Sequence, residues 1–306
     1  MTKRERDYSP GWRLFTKIVL PPLIRAAMKR EFSGKEHLAG AGGMILAGNH
    51  LSYADWAAMA LFSYEGGHYP VFTIKSPVFD VKIIGPLMRT LGQLPVYRGR
   101  SDAALLLKDA EQRLSRGACV IFYPEGTASR DPDQWPMVAR TGVARLALTT
   151  GVPVIPVACW GAQVILPYGD KRPRLFPRKT VKITAGPPVD LSAFAGQPLT
   201  TQTLRSATEA IMADITRLVA RLRGEEPPAV PYDPRAHRAA ATAAPATAAP
   251  ATEAPATEAP ATDTASTETA STEAASGQTA ASGQTAASEA GQDGGAAGPT
   301  PKAQRG

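Results

Sequence analysis

Six short apolar runs punctuate the middle of the chain, at 44–47, 71–74, 94–96, 118–123, 154–158 and 181–184. Runs this short, bounded by turn-forming residues, predict buried strands. Between them the spacing changes to a helical one, near 53–63, 102–116 and 138–150. The second of these gathers Ala104, Leu105, Leu107, Ala110 and Leu114 and stops at Gly117, and the third ends at Gly151 before Pro153. A longer amphipathic helix over 203–223 carries Leu204, Ile211, Ile215, Leu218 and Leu222 and stops at Gly224. Strands that alternate with helices predict an α/β fold, a single layered domain with a mixed central sheet flanked by helices.

Both ends depart from this pattern. Over 11–31 the bulky apolar residues Trp12, Leu14, Phe15, Ile18, Val19, Leu23, Ile24 and Met28 are interleaved with Arg13, Lys17, Arg25, Lys29 and Arg30. Such a segment lies in a bilayer interface with its cations near lipid headgroups, or else packs on the domain's own core. Beyond about residue 236 the chain is almost all Ala, Thr, Ser, Pro, Gly and Gln with scattered acids, including a five-residue repeat of the form Glu-Ala-Pro-Ala-Thr. Without aromatic or large aliphatic residues such a segment cannot offset its ordering entropy, so disorder is expected. The expected division is an amphipathic membrane-contact segment over 1–34, a folded domain over 35–224 and a disordered tail over 225–306.

Charge sharpens the picture. The formal charge is +7, from 34 Lys and Arg against 27 Asp and Glu. Residues 236–306 hold three of the basic and seven of the acidic groups, which leaves 31 against 20, or +11, for the rest. A folded part this basic expects an anionic partner. Aromatics do not interleave with the cations as a nucleic-acid platform requires, so no nucleic-acid partner is expected. Cys119 and Cys159 each sit in an apolar run and read as buried structural thiols in a reducing compartment. No stretch of about 18 apolar residues exists, so no transmembrane helix is expected. Neither a secretory signal nor the spacing of a metal site is evident.

Four blocks carry candidate chemistry. Gly48-Asn49-His50-Leu51-Ser52-Tyr53-Ala54-Asp55 follows a strand directly. A turn there lets the Asp55 carboxylate reach one nitrogen of His50, which would make the other a general base near neutral pH. Asp55 could equally serve the helix N-terminus in a capping box with Ser52. Gly92 to Arg100 sets Arg98 and Arg100 around Gly99, either a fork for phosphate or a solvated turn. In Tyr123-Pro124-Glu125-Gly126-Thr127 a buried strand ends in a tight turn, where Gly126 permits close approach by a ligand and Glu125 stands at the carboxyl end of a strand. Gly151 to Val157, with Pro153 and Pro156, reads as a structural strand fit to line an apolar channel. Nucleophile-elbow, phosphate-loop and dinucleotide signatures are absent.

In this order, the set Asn-His-x-x-Tyr-x-Asp, Gly-x-x-Pro-Val-x-Arg, Tyr-Pro-Glu-Gly-Thr and Val-Pro-Val-Ile-Pro-Val resembles the phospholipid and glycerol-phosphate acyltransferase family, most closely its bacterial 1-acyl-sn-glycerol-3-phosphate acyltransferases, over about residues 35–195. The resemblance implies that His50 and Asp55 are the catalytic pair and that Arg98 meets the glycerol-phosphate moiety. It further implies that Glu125, Gly126 and Thr127 belong to the substrate site, with Lys75 a basic position that also sees phosphate. Two departures stand out. Ala128 replaces an arginine common after Glu-Gly-Thr, with Arg130 two places on, and Arg140 stands where lysine often precedes the next helix. The implied reaction moves an acyl chain from acyl-CoA or acyl carrier protein to lysophosphatidic acid, or to glycerol-3-phosphate, a glycolipid or another lysophospholipid, with no cofactor; the alternative is a non-catalytic lipid-binding protein. The expected location is peripheral, on an anionic membrane surface at the cytoplasmic face of the cell membrane.

Overall fold

The computed structural model describes residues 10–40, 42–96 and 100–237. Helix α1 (Pro10–Ala27) runs straight into strand β1 (Met28–Ser33), and β2 (Met44–Gly48), α2 (Asp55–Glu65), β3 (Pro70–Lys75), α3 (Ile84–Thr90), β4 (Leu94–Val96) and α4 (Arg100–Leu114) follow. The second half comprises β5 (Cys119–Phe122), α5 (Gly142–Thr150), β6 (Val154–Trp160), the single turn α6 (Ala162–Ile165), β7 (Lys179–Ala185) and α7 (Thr201–Arg223). All six apolar runs are strands. With β1 they form one seven-stranded sheet in the order β1-β7-β6-β2-β5-β3-β4. Every neighbouring pair is parallel except β6 with β7, which makes the sheet mixed as expected.

Strand β2 is buried along its whole length and divides its side chains between the two faces. Met44 and Leu46 point to a core shared with α1 and α2, among Met59, Phe62 and Ile155. Ile45 and Ala47 point to the opposite core, built with α4, α5 and α7 around Leu114, Leu146 and Ile211. A period of two along a central strand thus feeds both layers. Helix α7 shows how sequence closes one layer. Thr200 Oγ1 accepts the Thr203 amide at 3.1 Å as the N-cap. Leu204, Ile211, Ile215 and Leu218 then bury one stripe, and Gly224 at φ 69° ends the helix in the left-handed region.

Two expected boundaries shift. The segment assigned to membrane contact over 1–34 gives its last residues to the sheet, because Met28–Ser33 pairs in parallel with β7. Only Met28 is buried there and residues 29–31 are exposed, so the charged edge strand resembles a helix end in sequence. Residues 225–237, placed in the tail, return to the domain, where the Val138 amide donates to Tyr232 O at 3.0 Å. The rest of the tail, 238–306, lies outside the described residues.

Helix α1 satisfies both readings of its sequence at once. Pro21, Ile24 and Met28 are buried against the domain. Leu14, Phe15, Ile18, Val19 and Leu23 are exposed, Leu14 by 59% and Leu23 by 62%. Among the described residues no helix is long and apolar enough to cross a membrane.

Candidate active site

The central strand β2 has β5 on one side and β6 on the other. Open α/β sheets bind ligands where chain connections leave a strand toward opposite sides, at the carboxyl ends. His50 and Glu125, 75 residues apart in sequence, meet there.

The turn after β2 is held by Asp55. Its Oδ2 accepts three hydrogen bonds, from His50 Nδ1 at 2.9 Å, from the Leu51 amide at 2.7 Å and from the Ser52 amide at 2.9 Å. The two roles open in the sequence therefore coexist, since one carboxylate orients the imidazole and ties the backbone at the start of α2. Ser52 Oγ accepts the Ala54 amide and donates to Leu166 O, so it fixes the turn rather than completing a box with Asp55. Cys159 Sγ approaches Asp55 Oδ1 at 3.9 Å. Asp55 is 1% exposed, whereas the His50 side chain is 16% exposed. Among the described residues His50 Nε2 has no hydrogen-bond partner, and the ring is partly exposed.

The main chain of His50 is clamped on both sides. Its amide donates to Glu125 Oε1 at 3.0 Å, and its carbonyl accepts the Ser129 amide at 2.7 Å. Glu125 Oε2 accepts the Met137 amide at 3.0 Å. Glu125 is thus buried, 4% exposed, with both oxygens on backbone amides. The sequence places Glu125 among the substrate-binding residues; in the structure its carboxylate joins the His50 turn to the loop following β5. Burial pushes its pKa from 4.5 up to about 8, against the opposing pull of the two amides.

A pH dependence follows. A carboxyl whose folded pKa lies above its unfolded value binds its proton more tightly when folded. Stability then falls as pH rises from about 4.5 to about 8 and is level above that. Glu125→Gln cannot accept from both amides, so it is expected to destabilise the domain by about 1–3 kcal/mol at low pH and to remove this slope. Thermal melts of both proteins between pH 5 and 9 check it.

Other neighbours complete the site. Tyr123 stacks on the His50 ring with centroids 4.3 Å apart and planes 22° apart. Its hydroxyl is buried without a partner among the described residues, and burial raises its pKa well above 10. Buried Asn49 pairs through Nδ2 and Oδ1 with the carbonyl and amide of Cys159, at 3.0 and 2.8 Å, and so continues the β2–β6 ladder beyond Gly48. Asn49, Ser129 and Tyr123 stand in the blocks read from sequence, but nothing local distinguishes them. Asn49 meets β6, whereas Tyr123 meets the His50 ring and Ser129 meets the carbonyls of His50 and Trp135.

The expected phosphate ligands are partly gathered. Gly126 takes φ 72°, and a Cβ built there would stand 3.2 Å from Arg140 Nε, so Arg140 lies across this glycine. The Gly126 amide donates to Tyr123 O at 2.9 Å and is therefore occupied. Thr127 is half-buried in the same turn, Ala128 is fully buried, and Arg130 is exposed. The Arg130 charge acts on Tyr53, whose ring lies 6.2 Å from that of His50. Lys75 is exposed at the end of β3. Arg98 lies outside the described residues. Both cysteines are buried and free, with Cys119 pushed up to about 12 by burial. Among the described residues no group of three or more His, Cys, Asp or Glu could hold a metal ion.

A histidine oriented by Asp55 thus stands at the strand ends of an open sheet, with Arg130 and Arg140 in the loop after β5. Comparison with known proteins narrows the class. Residues 29–160 match the family model described as Acyltransferase. A chloroplastic 1-acyl-sn-glycerol-3-phosphate acyltransferase, BAT2 of Brassica napus, is 30% identical over 146 residues, 47% of this chain and 40% of that one. Its counterpart LPAT1 of Arabidopsis thaliana is 31% identical over 129 residues, 42% and 34% of the two chains. The chain spans less than half the length of these curated relatives. The crystal structure of PlsC, the 1-acyl-sn-glycerophosphate acyltransferase of Thermotoga maritima, shares the fold with a TM-score of 0.52 at 22% identity, covering 71% of this chain and 90% of that one. The chain is thus similar to acyltransferases over residues 29–160, and it shares the fold of PlsC.

Proposed function

We propose that the chain transfers a fatty acyl group from acyl-CoA or acyl carrier protein to the sn-2 hydroxyl of lysophosphatidic acid, giving phosphatidic acid. The observation that carries this reading is the His50–Asp55 hydrogen bond at 2.9 Å, which engages Nδ1 and leaves Nε2 for the acceptor hydroxyl. The names of the plant relatives supply the substrate class.

In this mechanism Arg98, with Arg130, Arg140 and Lys75, holds the phosphate. His50 Nε2 removes the proton of the free hydroxyl as its oxygen attacks the thioester carbonyl, and Asp55 stabilises the imidazolium. Collapse of the tetrahedral intermediate breaks the C–S bond, and the thiolate takes the proton from His50. Glu125 and Ser129 act as positioning residues on the His50 backbone. Both thiols are buried, so transfer is direct from donor to acceptor without an acyl-enzyme. The exposed face of α1 rests on the cytoplasmic leaflet as a peripheral anchor.

The test supplies purified protein and anionic vesicles with labelled acyl-CoA or acyl carrier protein thioester, and with lysophosphatidic acid or glycerol-3-phosphate as acceptor. Labelled phosphatidic acid from lysophosphatidic acid is the expected product. Acylation of glycerol-3-phosphate alone would replace the proposed acceptor, and release of free fatty acid without acceptor would make the site a hydrolase.

A further inference from the structure

The segment between α6 and β7 is used by none of the chemistry above. It reads Asp170-Lys171-Arg172-Pro173-Arg174-Leu175-Phe176-Pro177-Arg178-Lys179, five cations against one acid. Residues 171–178 are all exposed, and Phe176 is exposed by 82%. A lone exposed aromatic is ordinary. This one sits at the centre of a strongly basic segment, and the segment is tied down at both ends.

At one end the Arg178 guanidinium donates to Arg25 O at 2.5 Å and Met28 O at 2.8 Å, which caps the carboxyl end of α1. That junction lies two residues beyond Leu23, the last of the exposed apolar residues of α1. At the other end the Arg174 amide donates to Ile165 O at 2.7 Å, and Leu166 O accepts Ser52 Oγ in the turn that carries His50. Tyr168 lies against Tyr53 with ring centroids 5.8 Å apart, and both are exposed. The segment therefore bridges the His50 turn and the end of the amphipathic helix.

We propose that residues 170–179 form a second bilayer anchor, in which Phe176 enters the acyl–headgroup boundary and Lys171, Arg172 and Lys179 bind anionic headgroups, while Arg174 is paired with Asp170 at 2.9 Å. Charge complementarity selects the occupant, because an aromatic wedge ringed by cations fits an anionic lipid surface. Two anchors joined through Arg178 fix the tilt of the domain, where one helix alone would let it rotate. The inference builds on the peripheral reading of α1 but not on acyl transfer.

The test is partition of the full chain into vesicles, which requires no catalysis. Lys171→Ala with Arg172→Ala is expected to weaken binding to phosphatidylglycerol-containing vesicles about 25-fold, five-fold per charge. It should leave binding to pure phosphatidylcholine unchanged, and the difference should vanish at 1 M salt. Phe176→Ser should weaken binding to both by about tenfold. Phe176→Trp, a variant that keeps the wedge, should gain tryptophan quenching by bromine-labelled acyl chains. Unchanged partition in both loss variants, or no added quenching in Phe176→Trp, overturns the proposal. If the double alanine variant instead loses affinity only for an acidic carrier protein, the segment is a protein-docking site and the bilayer assignment fails. Failure of these tests with phosphatidic acid still formed would reject the anchor and spare the acyl-transfer reading.

Discussion

His50→Ala is expected to lower phosphatidic acid formation by about 10²–10⁴-fold while leaving a folded protein. Among the described residues the side chain makes one hydrogen bond, to Asp55, and ring contacts with Tyr123 and, edge-on, with Tyr53. The backbone of the turn is held independently, by Glu125 on the amide of residue 50 and by Ser129 on its carbonyl. Neither bond involves the imidazole, so alanine inherits the same main-chain path. A thermal midpoint within about 3 °C of wild type is the matching expectation. Product assays on vesicles and a melt on the same preparation decide it. Wild-type turnover by this variant would remove His50 from the mechanism, and an unfolded variant would show that the turn depends on the ring.

Asp55 separates two functions of a single carboxylate. In Asp55→Asn the amide oxygen can take the place of Oδ2 and keep the bonds from Leu51 N and Ser52 N. The negative charge opposite His50 is lost, so turnover should fall by at least about 100-fold with the fold intact. In Asp55→Ala all three donors lose a charged acceptor. Bonds of that kind contribute about 1.5–3 kcal/mol each, and the abandoned amides are buried. The alanine variant should therefore lose activity and at least about 3 kcal/mol of stability, a drop of about 10 °C in midpoint. Paired melts and assays check both, and equal midpoints for the two variants would mean that the turn does not rely on this carboxylate.

The strands were legible because each is a short apolar run, and β2 is the clearest, with Met44 to Gly48 all buried. Their order was not legible. It depends on long-range pairing that sets β5 between β2 and β3 and reverses only β6 against β7. Strand β1 was hidden because its exposed Lys29, Arg30 and Glu31 mimic the end of the amphipathic helix. Helix α3 offered no stripe, since Gly85 is its one buried residue. Within the site, the five-residue spacing of His50 and Asp55 was enough to propose their contact. That the Glu125 carboxylate also ties the amides of His50 and Met137 was not legible, because those partners lie 75 and 12 residues away in sequence. Asn49 was quoted beside His50, but its pairing with Cys159 crosses 110 residues of sequence.

Strand β1 also alters what the N-terminal segment is. Its six residues cover the outer edge of β7, which would otherwise present a row of unpaired amides and carbonyls next to exposed Lys182. A protein shortened to begin at residue 35 would bare that row and invite edge-to-edge aggregation, whatever became of its lipid contacts. The segment is accordingly a stave of the barrier against self-association as well as a handle for the bilayer, and solubility and membrane residence are inherited together.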